Sequence, residues 1–543
     1  MGELGAMQDW SLRVMRLVDH AEREHAEGEI VSAWANGTIT RTNWKEVGRD
    51  ARRMAQALEA WGIKPGDRVA TLAMNHAHHL TAWYGAIGMG GILHTINPRL
   101  FDDQLEYIAN HAEDRVLLYD HAFAPLVEKM KPRWTSIEYY VCFDPPADWQ
   151  GDISFTDWIA GQDGIYEWVD GDERDPCALC YTSGTTGNPK GVLYEHRSTM
   201  LHTLAEAAPD VFNLSARAVV VPIVPMFHAN AWGIPWAAPL TGCKLVLSAD
   251  YRPAQMCKLF HDEKVSHSAG VPTIWLGMIE HIERTGEGLG SLQYVTIGGS
   301  AAPRAMIKWF RDRGVQVGHA WGMTETSPIG SMGAPPHGWE SLSDEQQMGY
   351  ICRQGRVPFG IEHRIVDDAG NVLARDGKES GRLQVRGPWV VKRYFKEEHD
   401  SLTPDGWFDT GDVAILHADG TMQITDRSKD VIKSGGEWIS SIELENAAVG
   451  CPGVAEAAAI GIPHPKWDER PLLICVKAPG SDVCADRIRD HLSAHVARWW
   501  LPDAIEFVDE LPHTATGKLS KKTLRETFSD YRFADAEDMV GRD

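Results

Sequence analysis

The stretch Tyr181-Thr182-Ser183-Gly184-Thr185-Thr186-Gly187-Asn188-Pro189-Lys190-Gly191-Val192 decides how the rest of the sequence is read. It begins in the apolar run Ala178-Leu179-Cys180-Tyr181, which reads as a short strand. Gly184, Gly187 and Gly191 let backbone N–H groups turn toward an anion. Hydroxyls at Thr182, Ser183, Thr185 and Thr186 add donors, and Lys190 adds a positive charge. That is the composition of a loop that grips a polyphosphate. The G-x-x-x-x-G-K-S/T pattern does not fit, because Asn188-Pro189 separates Gly187 from Lys190.

Strand and helix alternate around this loop. Residues 45–62 carry Val47, Ala51, Met54, Ala55, Leu58 and Trp61 on one helical face. Pro65-Gly66-Asp67 makes a turn, residues 69–72 a short buried strand and residues 79–91 a helix, and Leu93-His94 begins another strand. Such alternation predicts parallel sheets covered by helices. A chain of 543 residues exceeds the ~250–300 residues that one core spans. The turn-rich Gly406-Trp407-Phe408-Asp409-Thr410-Gly411-Asp412 and the basic Arg427-Ser428-Lys429-Asp430 mark a boundary. Beyond it, strand-like runs at 457–462, 472–476 and 504–507 are enough for a small domain. The expected class is α/β. A large N-terminal domain of parallel or mixed sheets with helices spans residues 1–428, and a small α+β domain spans 429–543. Residues 529–543 are acidic and read as a loose tail.

The formal net charge of −23 argues against a nucleic-acid backbone as the main ligand, since such binders present a basic surface. A nucleotide substrate remains possible, because a small phosphate site needs only local donors. Of nine cysteines, only Cys177 and Cys180 form a C-x-x-C, with no second pair or histidines at ligand spacing. They are expected as core thiols in a reducing compartment. The first residues lack the basic and apolar regions of a signal peptide. The most apolar stretch, residues 218–227, is too short to span a bilayer. The expectation is a cytoplasmic protein with neither membrane nor nucleic acid as a partner.

Further segments carry chemistry. His319-Ala320-Trp321-Gly322-Met323-Thr324-Glu325-Thr326-Ser327-Pro328 sets an aromatic face, which suits a purine, near a carboxylate, which suits a hard cation beside phosphates. After the 406–412 and 427–430 segments come Lys433-Ser434-Gly435-Gly436-Glu437-Trp438-Ile439-Ser440 and Leu511-Pro512-His513-Thr514-Ala515-Thr516-Gly517-Lys518-Leu519. In this order, and with the 181–192 loop, they resemble the motifs of the adenylate-forming superfamily: acyl-CoA synthetases, luciferases and peptide-synthetase adenylation domains. The resemblance covers nearly the whole chain.

That resemblance implies the following roles. The loop residues Thr182, Ser183, Gly184, Thr185, Thr186, Gly187 and Lys190 grip ATP. Trp321 stacks on adenine, with Gly322, Gly299, Ser300 and Ala301 beside the nucleotide. Thr324 holds the α-phosphate and Glu325 ligates Mg²⁺. Asp412 and Arg427 hold the ribose. Lys429 is the pivot of a mobile C-terminal domain. Lys433, Gly435, Gly436 and Trp438 meet the CoA arm or the adenine after rotation. Lys518 is the catalytic lysine, a cation that arrives with a closing domain and stabilises charge on the transferring phosphorus and leaving pyrophosphate. A homodimer is also implied.

Val224-Pro225-Met226-Phe227-His228-Ala229-Asn230-Ala231-Trp232-Gly233-Ile234-Pro235 resembles the family's acyl-tunnel segment, with His228 at the carboxylate end and Trp232 as a gate. Gly298-Gly299-Ser300-Ala301-Ala302-Pro303 resembles the segment where small residues, here Gly298 and Gly299, leave room for acid and nucleotide. No carboxylate stands in residues 229–236. The expected acid is therefore uncharged at its far end, since an unpaired buried charge costs several kcal/mol. The wording of residues 226–232, 321–328 and 435–440 is most similar to medium- and long-chain fatty-acid ligases and bacterial 3-methylmercaptopropionate-CoA ligases. The activity implied is AMP-forming ligation of a small carboxylic acid to CoA through an acyl-adenylate. The expected acid is 3-(methylthio)propanoate or a short- or medium-chain fatty acid. The alternatives are a long-chain fatty-acid ligase and an adenylate-forming enzyme with another acceptor.

Overall fold

Apolar strand runs separated by amphipathic helices assemble into two large sheets in the computed structural model, which describes residues 6–182, 188–435, 437–514 and 519–533. The first has seven strands in the order Ile153–Ser154, Tyr139–Phe143, Asp114–Asp120, Arg68–Leu72, Ile92–Thr95, Pro176–Tyr181, Gly191–Glu195. All pairs are parallel except the last, where Gly191–Glu195 turns back on Pro176–Tyr181. The second has eight strands and is parallel through its middle, with antiparallel pairs at both edges. Burial on both faces explains why Val116, Leu117, Leu118 and Tyr119 run on without polar alternation. Helix Ala77–Gly88 touches a strand of each sheet, Arg68–Leu72 and Glu29–Ala33, and buries Trp83 and Tyr84 completely.

The α/β class holds, and the predicted elements fall close to their places. The helix expected at 45–62 is Trp44–Ala60, started by the Asn43 side chain accepting from the Glu46 N–H at 2.9 Å. The helix expected at 79–91 is Ala77–Gly88. Cys177 and Cys180 are buried free thiols. His94 is buried against Asp114, Nδ1 to Oδ2 2.8 Å. Among the described residues no helix is long and apolar enough to cross a membrane.

Two features depart from expectation. An antiparallel sheet of Glu362–Val366, Ser380–Arg386, Phe408–Leu416 and Met422–Arg427 was not foreseen. The tail is not loose at its start: Phe533 is buried, and the Tyr531 hydroxyl donates to the Glu506 carboxylate at 3.0 Å. Residues 534–543 lie outside the described residues.

The C-terminal sheet joins Glu437–Ile439, Ile432–Ser434, Asp468–Lys477 and Val454–His464, with Ala504–Phe507 parallel to Asp468–Lys477. Its helix Ser441–Val449 meets the end of strand Met422–Arg427 through a buried charge cluster. Asp426 accepts from the Ser441 N–H at 2.6 Å and the Ser441 hydroxyl at 2.7 Å. The Lys521 ammonium lies 2.7 Å from Glu445 Oε1 and also bonds Ser441 Oγ. Lys521 is buried. Two carboxylates here share one ammonium, so burial holds Glu445 up at about 7 although Lys521 pulls it down.

Lys521→Met should destabilise the protein by about 3–5 kcal/mol, because Asp426 and Glu445 are left buried without their cation. Since Glu445 has a raised folded pKa, its contribution is complete below about pH 4.5 and is lost as pH rises through about 7. Glu445→Gln should flatten that slope. Urea unfolding of the three proteins between pH 4.5 and 8 checks both.

Candidate active site

The phosphate-type loop is pinched at its base. The Thr182 N–H donates to the Lys190 carbonyl at 2.9 Å, and the Lys190 N–H donates to Thr182 Oγ1 at 3.1 Å. These bonds continue the ladder of Pro176–Tyr181 with Gly191–Glu195. Ser183, Gly184, Thr185, Thr186 and Gly187 lie outside the described residues, as do Gly436 and Lys518.

Lys190 points across the ring of Tyr394, its ammonium 4.7 Å from the centroid. The same Tyr394 donates its hydroxyl to Glu325 Oε1 at 2.8 Å. A residue that sequence reasoning missed thus joins the loop lysine to the carboxylate of the Thr-Glu motif. Burial raises the Glu325 pKa, and the Tyr394 hydrogen bond opposes that. Thr324 starts a short 3-10 turn, and its carbonyl accepts from the Tyr194 hydroxyl at 2.7 Å. Gly322 is required by packing: a Cβ there would sit 1.9 Å from the Pro328 carbonyl oxygen.

Trp321 donates its indole N–H to Asp412 Oδ2 at 2.8 Å, and Arg427 Nε lies 2.7 Å from Asp412 Oδ1. Three residues chosen from separate motifs therefore meet on one buried carboxylate. Gly330 lies against the Trp321 ring, where a Cβ would come within 2.1 Å. Gly299 has a positive φ of 84°, which leaves Ser300 and Ala301 in the short connection after strand Tyr294–Ile297. His319 holds that connection: the Ala302 N–H donates to its Nε2 at 3.1 Å. The proton is then on Nδ1, facing the Cys352 carbonyl at 3.0 Å, in keeping with a pKa pushed down to about 4 by burial.

His228 lines a small cavity with Thr95, Asn97, Tyr181, Thr182 and Phe227, directly beside the loop base. After it the chain runs left-handed, with φ of 42°, 53°, 49°, 58° and 89° from Ala229 through Asn230, Ala231 and Trp232 to Gly233. The buried Trp232 ring reaches Gly298, whose Cβ would meet Trp232 Cη2 at 3.4 Å. Trp236 instead belongs to the core, packed on Trp83 and Tyr84. Residues 229–236 hold no carboxylate, but one is brought to them from another element. Glu206, from helix His196–Glu206, lies so close behind the turn that a Cβ at Gly233 would come within 2.2 Å of its Oε2.

Lys433, Gly435 and Trp438 lie elsewhere, on the hairpin of the C-terminal sheet. Lys433 pairs with Trp438, and the positive-φ Gly435 lies against Trp467 and Trp499. Among the described residues no hydrogen bond links the three to Trp321, Glu325 or Asp412.

A family model described as AMP-binding enzyme matches residues 18–395, and one described as AMP-binding enzyme C-terminal domain matches 443–518. The chain belongs to the AMP-binding enzyme family. A 3-methylmercaptopropionyl-CoA ligase of Ruegeria lacuscaerulensis is 48% identical over 534 residues, 97% of this chain and 99% of that one. A medium-chain-fatty-acid–CoA ligase of Ectopseudomonas oleovorans is 46% identical, over 97% and 98%. The crystal structure of the anthranilate CoA ligase AuaEII in complex with anthranoyl-AMP superposes with a TM-score of 0.85 at 25% identity, covering 96% of this chain and 98% of that one. With relatives this similar over almost their full lengths, this member of the family is an acyl-CoA ligase of the AMP-forming kind.

The left-handed run yields a test whose sign is unusual. At an ordinary buried position Ala→Gly destabilises. Ala231→Gly should instead stabilise the protein by about 1 kcal/mol, because an L-residue pays roughly 1–2 kcal/mol for this conformation. Ala231→Val should lose about 1–3 kcal/mol. Urea unfolding midpoints decide, and a destabilised Ala231→Gly would contradict the strain.

Proposed function

We propose that the chain joins a short, uncharged-tail carboxylic acid to CoA in two steps at one site. 3-(Methylthio)propanoate is the leading substrate, and short- or medium-chain fatty acids are the overlapping class. First the acid's carboxylate attacks the α-phosphorus of ATP, giving acyl-AMP and releasing pyrophosphate. Then the CoA thiol sulfur attacks the acyl carbonyl, the thiol proton leaves and AMP departs. The observation that carries the reading is the phenol of Tyr394, with a loop lysine over its ring and the Glu325 carboxylate on its hydroxyl. Cation, carboxylate and a hydroxyl-rich loop are what a polyphosphate with a divalent ion requires.

The roles proposed are those the resemblance implies. Thr182 and Lys190, with the loop residues between them, receive the β- and γ-phosphates. Thr324 receives the α-phosphate. Trp321, Gly322, Gly299, Ser300 and Ala301 border the adenine, and Asp412 and Arg427 take the ribose. Glu325 fits Mg²⁺: it offers hard oxygen donors, is buried, and has a neutral phenol as its side-chain hydrogen-bond partner. When bound there, the ion would neutralise phosphate charge. His228 takes the acid's carboxylate end, and Trp232, Gly298 and Gly299 shape its pocket. A division at 428/429 with a pivot at Lys429 would let Lys518 serve the first step. Lys433, Gly435, Gly436 and Trp438 would serve the second. A homodimer is carried from the resemblance alone, and a cytoplasmic setting from the sequence reading.

Lys518→Ala should lower adenylation, read as acid-dependent ATP–pyrophosphate exchange, by several orders of magnitude. Thioester formation from supplied acyl-AMP should change far less. Equal loss in both half-reactions would refute the role.

The choice of acid rests on the 48% identical relative and on Trp232 standing over Gly298. A thioether is nearly isosteric with a methylene, so binding separates 3-(methylthio)propanoate from pentanoate by only ~1–3 kcal/mol. kcat/KM across straight-chain acids from acetate to palmitate should peak between butyrate and hexanoate, with 3-(methylthio)propanoate at or above the peak. A rise continuing to palmitate would make this a long-chain ligase.

A further inference from the structure

Spacing along the chain points to no metal site, yet the fold brings together three metal-type donors that none of the roles above uses. Cys257 lies on helix Pro253–Asp262, His281 on helix Pro272–Thr285, and Glu287 in the loop that follows. The two helices bury Met256, Phe260, Trp275 and Met278 in one core. Cys257 is fully buried, His281 is partly covered and Glu287 is exposed, so the cluster runs from the core to the surface. One ligating atom of each, a sulfur, a ring nitrogen and a carboxylate oxygen, lies within 4.8 Å of the other two. His281 Nε2 and Glu287 Oε2 are 3.2 Å apart. Local structure explains how Glu287 gets there. Gly286 ends the second helix with a positive φ of 76°, its N–H donating to the Ile282 carbonyl at 2.9 Å, and so turns the chain back on His281. His261, one helical turn beyond Cys257, meets the same loop, its Nε2 3.2 Å from the Gly288 carbonyl oxygen.

We propose that Cys257, His281 and Glu287 bind Zn²⁺, with a water as the fourth ligand, and that the ion clips the two helices and their loop together. Zinc bonds of about 2.0–2.3 Å at tetrahedral angles set ligand atoms roughly 3.3–3.6 Å apart. The cluster is close to that size already, and its exposed member, Glu287, stands on the loop after Gly286, where closing the remainder disturbs no core packing. Sulfur, imidazole and carboxylate together suit zinc, whereas magnesium and calcium want oxygen. The charges also balance. One thiolate and one carboxylate neutralise the ion, so no unpaired charge is left against the core. Without metal the thiol is held protonated, pushed up to about 12 by burial and by the Glu287 carboxylate. Binding breaks the S–H bond, forms the Zn–S bond and releases that proton to water. Arg284, which donates to His281 Nδ1 at 3.3 Å, is exposed and turns aside, and Nδ1 takes the ring proton that leaves Nε2. The ion supplies stability rather than chemistry, so the ligase reading does not depend on it.

The test uses the full-length protein, stripped with EDTA until elemental analysis finds no zinc, and then titrated with Co²⁺ as an optical stand-in. The wild type should bind Co²⁺ with a sulfur-to-cobalt charge-transfer band in the near ultraviolet, which an all-oxygen Mg²⁺ site does not give, and one equivalent of Zn²⁺ should bleach it. Cys257→Ser should abolish the band. His281→Ala and Glu287→Ala should each weaken Co²⁺ binding at least about tenfold, since loss of even an outer partner of a metal ligand costs about 10–100-fold. Zn²⁺ should raise the Tm of the wild type and leave that of Glu287→Ala unmoved. Glu287 lies on the surface, so its variant decides even if Cys257→Ser fails to fold. A wild type that shows no charge-transfer band at saturating Co²⁺ overturns the proposal. So does a band that survives in Cys257→Ser, or one that forms as tightly in His281→Ala and Glu287→Ala as in the wild type.

Discussion

A buried carboxylate must be paired, and Asp412 is where this constraint ties the molecule together. It is 2% exposed, and it accepts from an indole on the second large sheet and faces a guanidinium on the neighbouring antiparallel strand. Without both donors the ion would carry a desolvation penalty of several kcal/mol. The pairing fixes the approach of strand Gln316–Gly322 to the Phe408–Leu416 and Met422–Arg427 hairpin, where Asp412 stands opposite Arg427. That approach also sets the distance between Trp321 and the start of the C-terminal segment. A nucleotide bound at this point would find its acceptor oriented before it arrives. Such preorganisation is the cheaper way to bind, because no side-chain ordering is left to do.

Strand alternation extends the constraint. Successive side chains of a strand face opposite ways. Arg427 reaches Asp412, so Asp426 must look the other way, and it does, into Ser441 at the start of helix Ser441–Val449. One carboxylate caps a helix of the C-terminal part while the next residue holds a carboxylate of the N-terminal part. Lys521 then closes the second cluster from far along the chain. The two charge clusters sit back to back across two residues, just before Lys429. A rotation at that point would have to break the Asp426 bonds to Ser441, because they run across it.

What could be read in the sequence was local. The helix at Trp44–Ala60 announces itself through apolar spacing, and the loop after Tyr181 through its glycines and hydroxyls. The meeting of Trp321, Asp412 and Arg427 was legible only because each lies in a string already suspected of serving one ligand. Tyr394 was not, since a tyrosine 69 positions from Glu325 carries no pattern that names its partner. The burial of Lys521 is not written in its cation-rich sequence neighbours, which say nothing of Glu445 and Asp426. The antiparallel Glu362–Val366 sheet escaped because its strands mix polar and apolar residues, although Asp419-Gly420 between its last two strands is a hairpin signal. Glu206 was not found because it lies outside residues 229–236 in sequence and is brought behind the turn by helix His196–Glu206.

The turn itself shows which effect wins at this pocket. Four non-glycine residues from Ala229 to Trp232 stand in the left-handed region, at roughly 1–2 kcal/mol each, a sum larger than the ~2–3 kcal/mol that burying one large apolar side chain returns. Local preference would therefore unwind the turn, and only surroundings that over-determine it can hold it. They are identifiable. The Cys180 thiol donates to Asn230 Oδ1, and the Tyr84 hydroxyl donates to the Pro235 carbonyl at 2.9 Å just beyond the turn. Gly233, at φ 89°, supplies the one step that only glycine takes cheaply, and it does so against the Glu206 carboxyl. A right-handed path would carry Trp232 away from Gly298 and place a different surface there. The fold accepts backbone strain that holds the Trp232 ring against Gly298.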